Sequence, residues 1–341
     1  MSENNSANGA IFRDADEVLA SDILRRVRTY DGPPVRIDVL EASNEELARY
    51  GLPRRPDPQE EPELARLWAR TFSRPFEYVP AELSIDTVMG LRDPLWRHPG
   101  HPRGLDSEGS FGPSGWGGAV AFPKKLIMSG VTADRRIKPY LAGPANVVYG
   151  QWTIPGVFPA SNPAGDIIAG FWVGIDGWGN GQVLQAGVAV TVRPDATVRW
   201  WAWTEWWTQQ FKDPPVAVDN FPVTVGDTVT VLVCALSPEW GFAAFHNLTT
   251  GQVTSVGIPG RPNIPLIGAT AEWIVEGISA DLPVFLPVTF SGCVAGTKRS
   301  AFDLLPSGVT TEIAGDDSGE QLTRSTIAGE NAAIVEWEGW S

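Results

Sequence analysis

From Asn146 onward the chain is dominated by short runs in which apolar and polar residues alternate, broken by Gly, Pro and Asn turns. They are NVVYGQWTI from Asn146, FWVGI from Phe171, QVLQAGVAVTV from Gln182, VRWWAWTEWW from Val198, DTVTVLV from Asp227, AEWIVEGI from Ala271, VFLPVTF from Val284 and AAIVEW from Ala332. A period of two is the signature of a strand with one face buried, and strands at this spacing without intervening helical patterns predict an all-β, antiparallel two-sheet β-sandwich. No fixed-period repeat is present. The composition agrees: 36 Gly, 29 Pro and only 19% charged residues describe a folded, turn-rich chain.

The first hundred residues read differently. Val18, Leu19, Ile23, Leu24 and Val27 share one helical face, as do Leu64, Leu67, Trp68 and Phe72 in EEPELARLWARTF, with the proline-broken RYGLPRRPDPQEEP between them. A Gly/Ser/Pro-rich stretch, HPGHPRGLDSEGSFGPSGWGG, then marks a linker. The expected division is therefore a small helical and coil segment over residues 1–103, a pro-segment or appendage, and a sandwich domain over 104–341. The segment's basic residues are all Arg, and the rest of the chain is more acidic, with 12 basic against 22 acidic residues. Two readings stay open for the segment. One is a cover held on the sandwich by pairs from Arg54, Arg55, Arg66, Arg70 and Arg74 and loosened at low pH; the other is a solvated appendage with another partner.

A net charge of −14 argues against nucleic acid and against an anionic membrane surface, leaving a peptide, sugar or small molecule as ligand. Fifteen Trp are too many for one core, and some are expected to line a groove. The first 20 residues have no apolar signal-peptide core and no apolar run reaches membrane-spanning length, so the expectation is cytoplasmic placement or non-classical secretion, with localisation otherwise unknown.

Common chemistries fall away. His98, His101 and His246 are scattered and HExxH is absent; GxSxG and Asp-Thr-Gly are absent; Cys234 and Cys293 read as two unrelated thiols. GWGNG from Gly177 reads as a turn rather than a phosphate loop, and the sequon at Asn247 has no secretion signal behind it. No cofactor and no obligate protein partner is expected.

What remains is an ordered set of segments: SGWGGAV around Trp116, FWVGIDG ending at Gly177, VLQAGVAV around Gln185, WAWTEWW around Glu205, HNLTTGQV from His246 and ATAEWIVEGI around Glu272. In order and separation, over roughly residues 111–291, they resemble the glutamic peptidase (eqolisin) family. The resemblance implies a concanavalin-like sandwich and an acid-type endopeptidase acting on polypeptide. It implies Gln185 and Glu272 as catalytic pair, with Trp116, Trp172, Asp176, Trp203, Glu205 and Trp207 around the substrate. On that reading Glu272 is the general base and Gln185 orients water and donates to the oxyanion. From the residues alone, Trp172 and Trp203 are equally core, and Asp176 equally holds a tight turn. Two departures stand out: Ala189 occupies the place, four residues after Gln185, where the family usually has an acid, and Trp207 stands where Tyr is commoner. The alternatives are a catalytically idle relative and a carbohydrate- or peptide-binding sandwich module that stacks rings on indoles.

Overall fold

The computed structural model describes residues 20–34, 37–85, 115–122, 144–159, 165–178, 180–211, 213–278, 282–297, 301–303, 309–312, 321–329 and 331–339. Alternation is what drives the architecture. In the strand Gln182–Val192 the even-numbered Leu184, Ala186, Val188, Val190 and Val192 enter the main core, while Val183, Gln185 and Ala189 point to the opposite face. Every long strand divides its side chains in this way, and the expected two-sheet sandwich results.

Among the described residues the front sheet has eight strands, in the order Val309–Glu312, Trp116–Ala121, Ala271–Gly277, Ile167–Ile175, Gln182–Val192, Val198–Thr208, Val216–Val218, Leu83–Ile85. The back sheet is built on Gln252–Pro259, Trp240–Asn247, Thr228–Ser237, Ala145–Thr153 and Val288–Thr297, continued by Ala333–Trp337 and Thr323–Ile327. Their facing sides meet in one core that includes Trp152, Phe171, Trp206, Phe245, Trp273 and Phe290.

The structure departs from the expected runs in several places, Trp116–Ala121, Gln252–Pro259 and Thr323–Ile327 being strands as well. VFLPVTF is two strands, Val284–Phe285 and Val288–Thr297, because Pro287 lacks the N–H that a continuous ladder needs. Trp240–Asn247 is a strand outside the expected runs. It is covered by the core on one face and by the N-terminal segment on the other, so its residues do not alternate in polarity.

The N-terminal segment is built into this framework. Residues 20–26 are helical, and further helices span Asn44–Arg49 and Pro62–Phe72. The Asn44–Arg49 helix begins in a capping box, with Ser43 accepting from the Glu46 N–H and Glu46 accepting from the Ser43 N–H. The Pro62–Phe72 helix buries the face expected of it. Leu64 and Leu67 pack with Tyr149, Leu232 and Val294 of the back sheet, and Trp68 and Phe72 pack with Leu47, Leu52 and Val253. Each such burial contributes roughly 1.5–3 kcal/mol, so together they hold the helix to the sheet.

The same segment closes sheet edges. Arg28–Thr29 pairs antiparallel, and Glu77–Tyr78 parallel, with Gln252–Pro259 of the back sheet, while Leu83–Ile85 pairs with Val216–Val218 of the front sheet. The helices Asn44–Arg49 and Pro62–Phe72 therefore lie on the outer side of the back sheet. Of its arginines, Arg70 interacts with Tyr149 of the back sheet, whereas two others stay within the segment. Arg54 pairs with Glu61 at 2.6 Å, and Arg55 donates to the carbonyls of Val39 and Ala42, all within the segment. The expected boundary near Arg103, with His98 and His101, falls outside the described residues.

Candidate active site

Register places the candidate pair. Glu272 lies opposite Gly174, Gly174 opposite Gln185, and Gln185 opposite Glu205. Directly opposed residues in a sheet share a face, so Glu272, Gln185 and Glu205 form one row across four strands with a glycine in the gap. Two inter-strand spacings separate the Glu272 and Gln185 backbones, roughly 10 Å, and the Trp172 ring lies over Gly174 between them. A Cβ at Gly174 would lie 2.8 Å from Trp172 Cζ3 and 3.3 Å from Gln185 Cβ.

Gln185 is fixed by its neighbour. Its Nε2 donates to Glu205 Oε2 at 2.6 Å, while its Oε1 is buried and accepts no hydrogen bond among the described residues. Burial pushes the Glu205 carboxyl up to about 8. The Gln185 hydrogen bond opposes the shift, and the nearby Glu276 and Asp213 carboxylates add to it. Glu205 is thus a neutral acid over the acidic range.

Two rows further along the same face, Trp116 is opposite Glu276, Glu276 opposite Gly170, Gly170 opposite Ala189, and Ala189 opposite Trp201. Trp172 lies between the two rows, with Gly187 beside it. A Cβ at Gly187 would lie 2.6 Å from Trp172 Cβ, so only glycine permits this approach. Trp172 Nε1 donates to Glu276 Oε2 at 3.1 Å, and its ring meets Trp116 edge-on at 4.9 Å. Glu276 was not among the expected site residues. The signal was present, since it follows Glu272 by four residues and so has the same strand parity. Ala189 has no acid of its own; the carboxyl of its row is Glu276, two strands away.

Trp203 lies opposite Gly187 and Trp207 opposite Val183, so both belong to this face. Asp176, expected at the substrate, is engaged elsewhere. Its carboxylate accepts from the N–H groups of Ile267, Gly268 and Ala269 at 2.7–2.8 Å and from Asn180 Nδ2 at 3.0 Å, and its φ of 68° turns the chain out of the strand. Burial raises its carboxyl above the ordinary value and those donors pull it back. It fixes the loop that leads into the Glu272 strand, which is the turn-holding reading of the GIDG motif.

The expected open groove is closed in this structure, with Gln185 1% and Glu272 0% exposed. Of the groups set aside from the sequence, Cys234 and Cys293 are free thiols, and His246 is buried against Phe72 with burial lowering it to about 4. Asn247 of the sequon is 0% exposed and donates to Asp227 Oδ2, so it is no glycan acceptor in the folded protein.

A two-sheet sandwich with a Glu–Gly–Gln–Glu row on one outer face defines a class, and comparison with known proteins identifies it. Residues 137–337 match the peptidase A4 family. The chain is 30% identical over 246 residues to aspergillopepsin-2 of Aspergillus niger, covering 65% of this chain and 77% of that protein. It is 30% identical over 166 residues to scytalidopepsin B of Scytalidium lignicola, covering 48% of this chain and 51% of that protein. The crystal structure of scytalido-glutamic peptidase with a transition-state analogue inhibitor shares the fold, with a TM-score of 0.50 at 21% identity over 65% of this chain and 98% of that one. The chain belongs to the peptidase A4 family, the glutamic peptidases or eqolisins, which are hydrolases acting on peptide bonds. The match runs past residue 291, the limit read from motifs, and begins after Trp116, whose strand nevertheless flanks the Glu272 strand.

Proposed function

We propose that this peptidase is an acid-active endopeptidase in which Glu272 and Gln185 are the catalytic pair. The observation that carries the reading is the row itself, which sets Glu272 and Gln185 two strands apart on one face, where they act on one water. Glu272, as carboxylate, takes a proton from that water while the water oxygen forms its bond to the scissile carbonyl carbon. The carbonyl π-bond opens to an oxyanion. Gln185 has two N–H bonds; one is held by Glu205, and the other donates to the oxyanion. Such a donor is worth about 3 kcal/mol in other acyl-transfer sites. Its free Oε1 accepts from the water and orients it. Glu272 then returns its proton to the amide nitrogen, the C–N bond breaks, and acid and amine leave. A carboxamide does not titrate and Glu205 is neutral below about pH 8, so this machinery persists in acid as long as Glu272 itself is ionised.

Trp116, Trp172, Trp203 and Trp207 form the aromatic wall of the site, and polypeptide is the substrate. Because the pair is buried, a chain reaches it only when the face opens. Asp176 is a positioning residue. The test is cleavage of a denatured protein from pH 2 to 8 by the wild type, Gln185→Ala and Glu272→Ala. Acidic cleavage lost by at least about a hundredfold in both variants is expected; wild-type rates in either overturn the assignment.

A further inference from the structure

We propose that a cavity on the back of the molecule, remote from the Gln185 row, binds the ammonium end of a short apolar peptide. The cavity, about 490 Å³, lies between the N-terminal segment and the outer side of the back sheet. That size is in the range of small-ligand sites, about 300–1,000 Å³. Its floor is apolar and rigid. Leu52 comes from the N-terminal segment, and Val147 and Phe242 come from two different strands of the sheet; all three are under 9% exposed. At the mouth stands Leu236, 55% exposed.

The polar side of the cavity has one sign. Arg54 and Glu61 neutralise each other through their 2.6 Å pair. Asp57 and Glu60 remain as exposed carboxylates with no cationic partner in the lining. Apolar floor, apolar lip and a doubly negative rim select a cation carried on an apolar body. For a peptidase the available ligand of that chemistry is a peptide with a free N-terminus, since each cleavage creates a new ammonium end. The inference rests on the proposed activity only for this choice of ligand, and binding is tested with the peptide directly.

The probe is phenylalanyl-leucinamide, with two apolar side chains, one ammonium and no carboxylate. It is titrated into methyl-labelled Glu272→Gln protein, so that nothing is cleaved, and the methyl resonances of Leu52, Val147 and Leu236 are followed beside those of Val183 and Ile274 on the front face. Saturable shifts of the three cavity methyls are expected. They should weaken at least about tenfold on acetylation of the peptide and on Cys234→Phe, which fills the cavity. In the wild-type background Cys234→Phe should leave proteolysis unchanged, which shows that the fold is intact. The proposal is overturned if the cavity methyls do not move at millimolar peptide, if the acetylated peptide binds equally, or if only Val183 and Ile274 move. A protein that cleaves nothing but still gives the cavity titration would fail the activity reading and not this one.

Discussion

The Nε2 of Gln185 donates a 2.6 Å hydrogen bond to Glu205, the residue directly opposite it on the next strand, and so fixes the direction of its carboxamide. A neutral carboxyl and a carboxamide accept in the same way. Glu205→Gln is therefore expected to keep acidic proteolysis within about tenfold of wild type, whereas Glu205→Leu, which frees Gln185 to turn, loses about a hundredfold. Values of kcat/KM for the two variants at pH 4 decide it; equal losses would mean that Glu205 does more than hold Gln185.

The same residue sets a pH dependence of stability. Glu205 keeps its proton up to about pH 8 in the fold, against an ordinary value of 4.5. Between those values the folded state binds more protons than the unfolded one, so this stabilisation is complete below 4.5 and is lost as pH rises through 8. Asp176 shifts in the same direction. The urea midpoint should be higher at pH 4 than at pH 8, and Glu205→Gln should remove much of the difference. An unchanged difference in that variant would assign the effect to other groups.

Gly174 separates Glu272 from Gln185 in their row, and the Trp172 ring lies over it. In Gly174→Ala the new methyl would meet Trp172 at 2.8 Å, at a cost of about 1–3 kcal/mol. Activity should fall by more than about tenfold, beyond what the loss of folded protein explains. Denaturation curves measured alongside kcat separate the two effects.

Asp176 accepts from three successive backbone N–H groups just before the Glu272 strand. Asp176→Ala leaves buried donors unmet, at about 1–3 kcal/mol each, and lets that strand shift. The expected signature of the proposed positioning role is a fall in kcat with KM little changed. A variant altered mainly in KM would place Asp176 in the groove after all.

Removing residues before Gly104 strips a strand from each sheet edge and uncovers Tyr149, Leu232, Phe242 and Val253 on the back sheet. Unpaired edges and an exposed apolar face promote aggregation. The shortened chain is expected to melt at least about 10 °C lower or to be insoluble, with no gain of activity at pH 7. A soluble truncated protein active at pH 7, beside a silent full chain, would support a covering role for the segment.

Much of this was legible in the chain itself. Alternation gave the sandwich, and the helical spacing of Leu64, Leu67, Trp68 and Phe72 gave the buried face of its helix. Strand parity alone puts Gln185 with Ala189, Glu205 with Trp203 and Trp207, and Glu272 with Glu276, because side-chain direction along a strand is a local property. Only the tertiary structure decided which strands lie side by side and in what register. It set Glu272 across Gly174 from Gln185, engaged Asp176 with the loop at Ile267–Ala269, and laid the N-terminal segment along both sheet edges and the back face. Those relations join residues 11 to 230 positions apart, and they depend on how whole layers pack and pair, which no short stretch of sequence encodes.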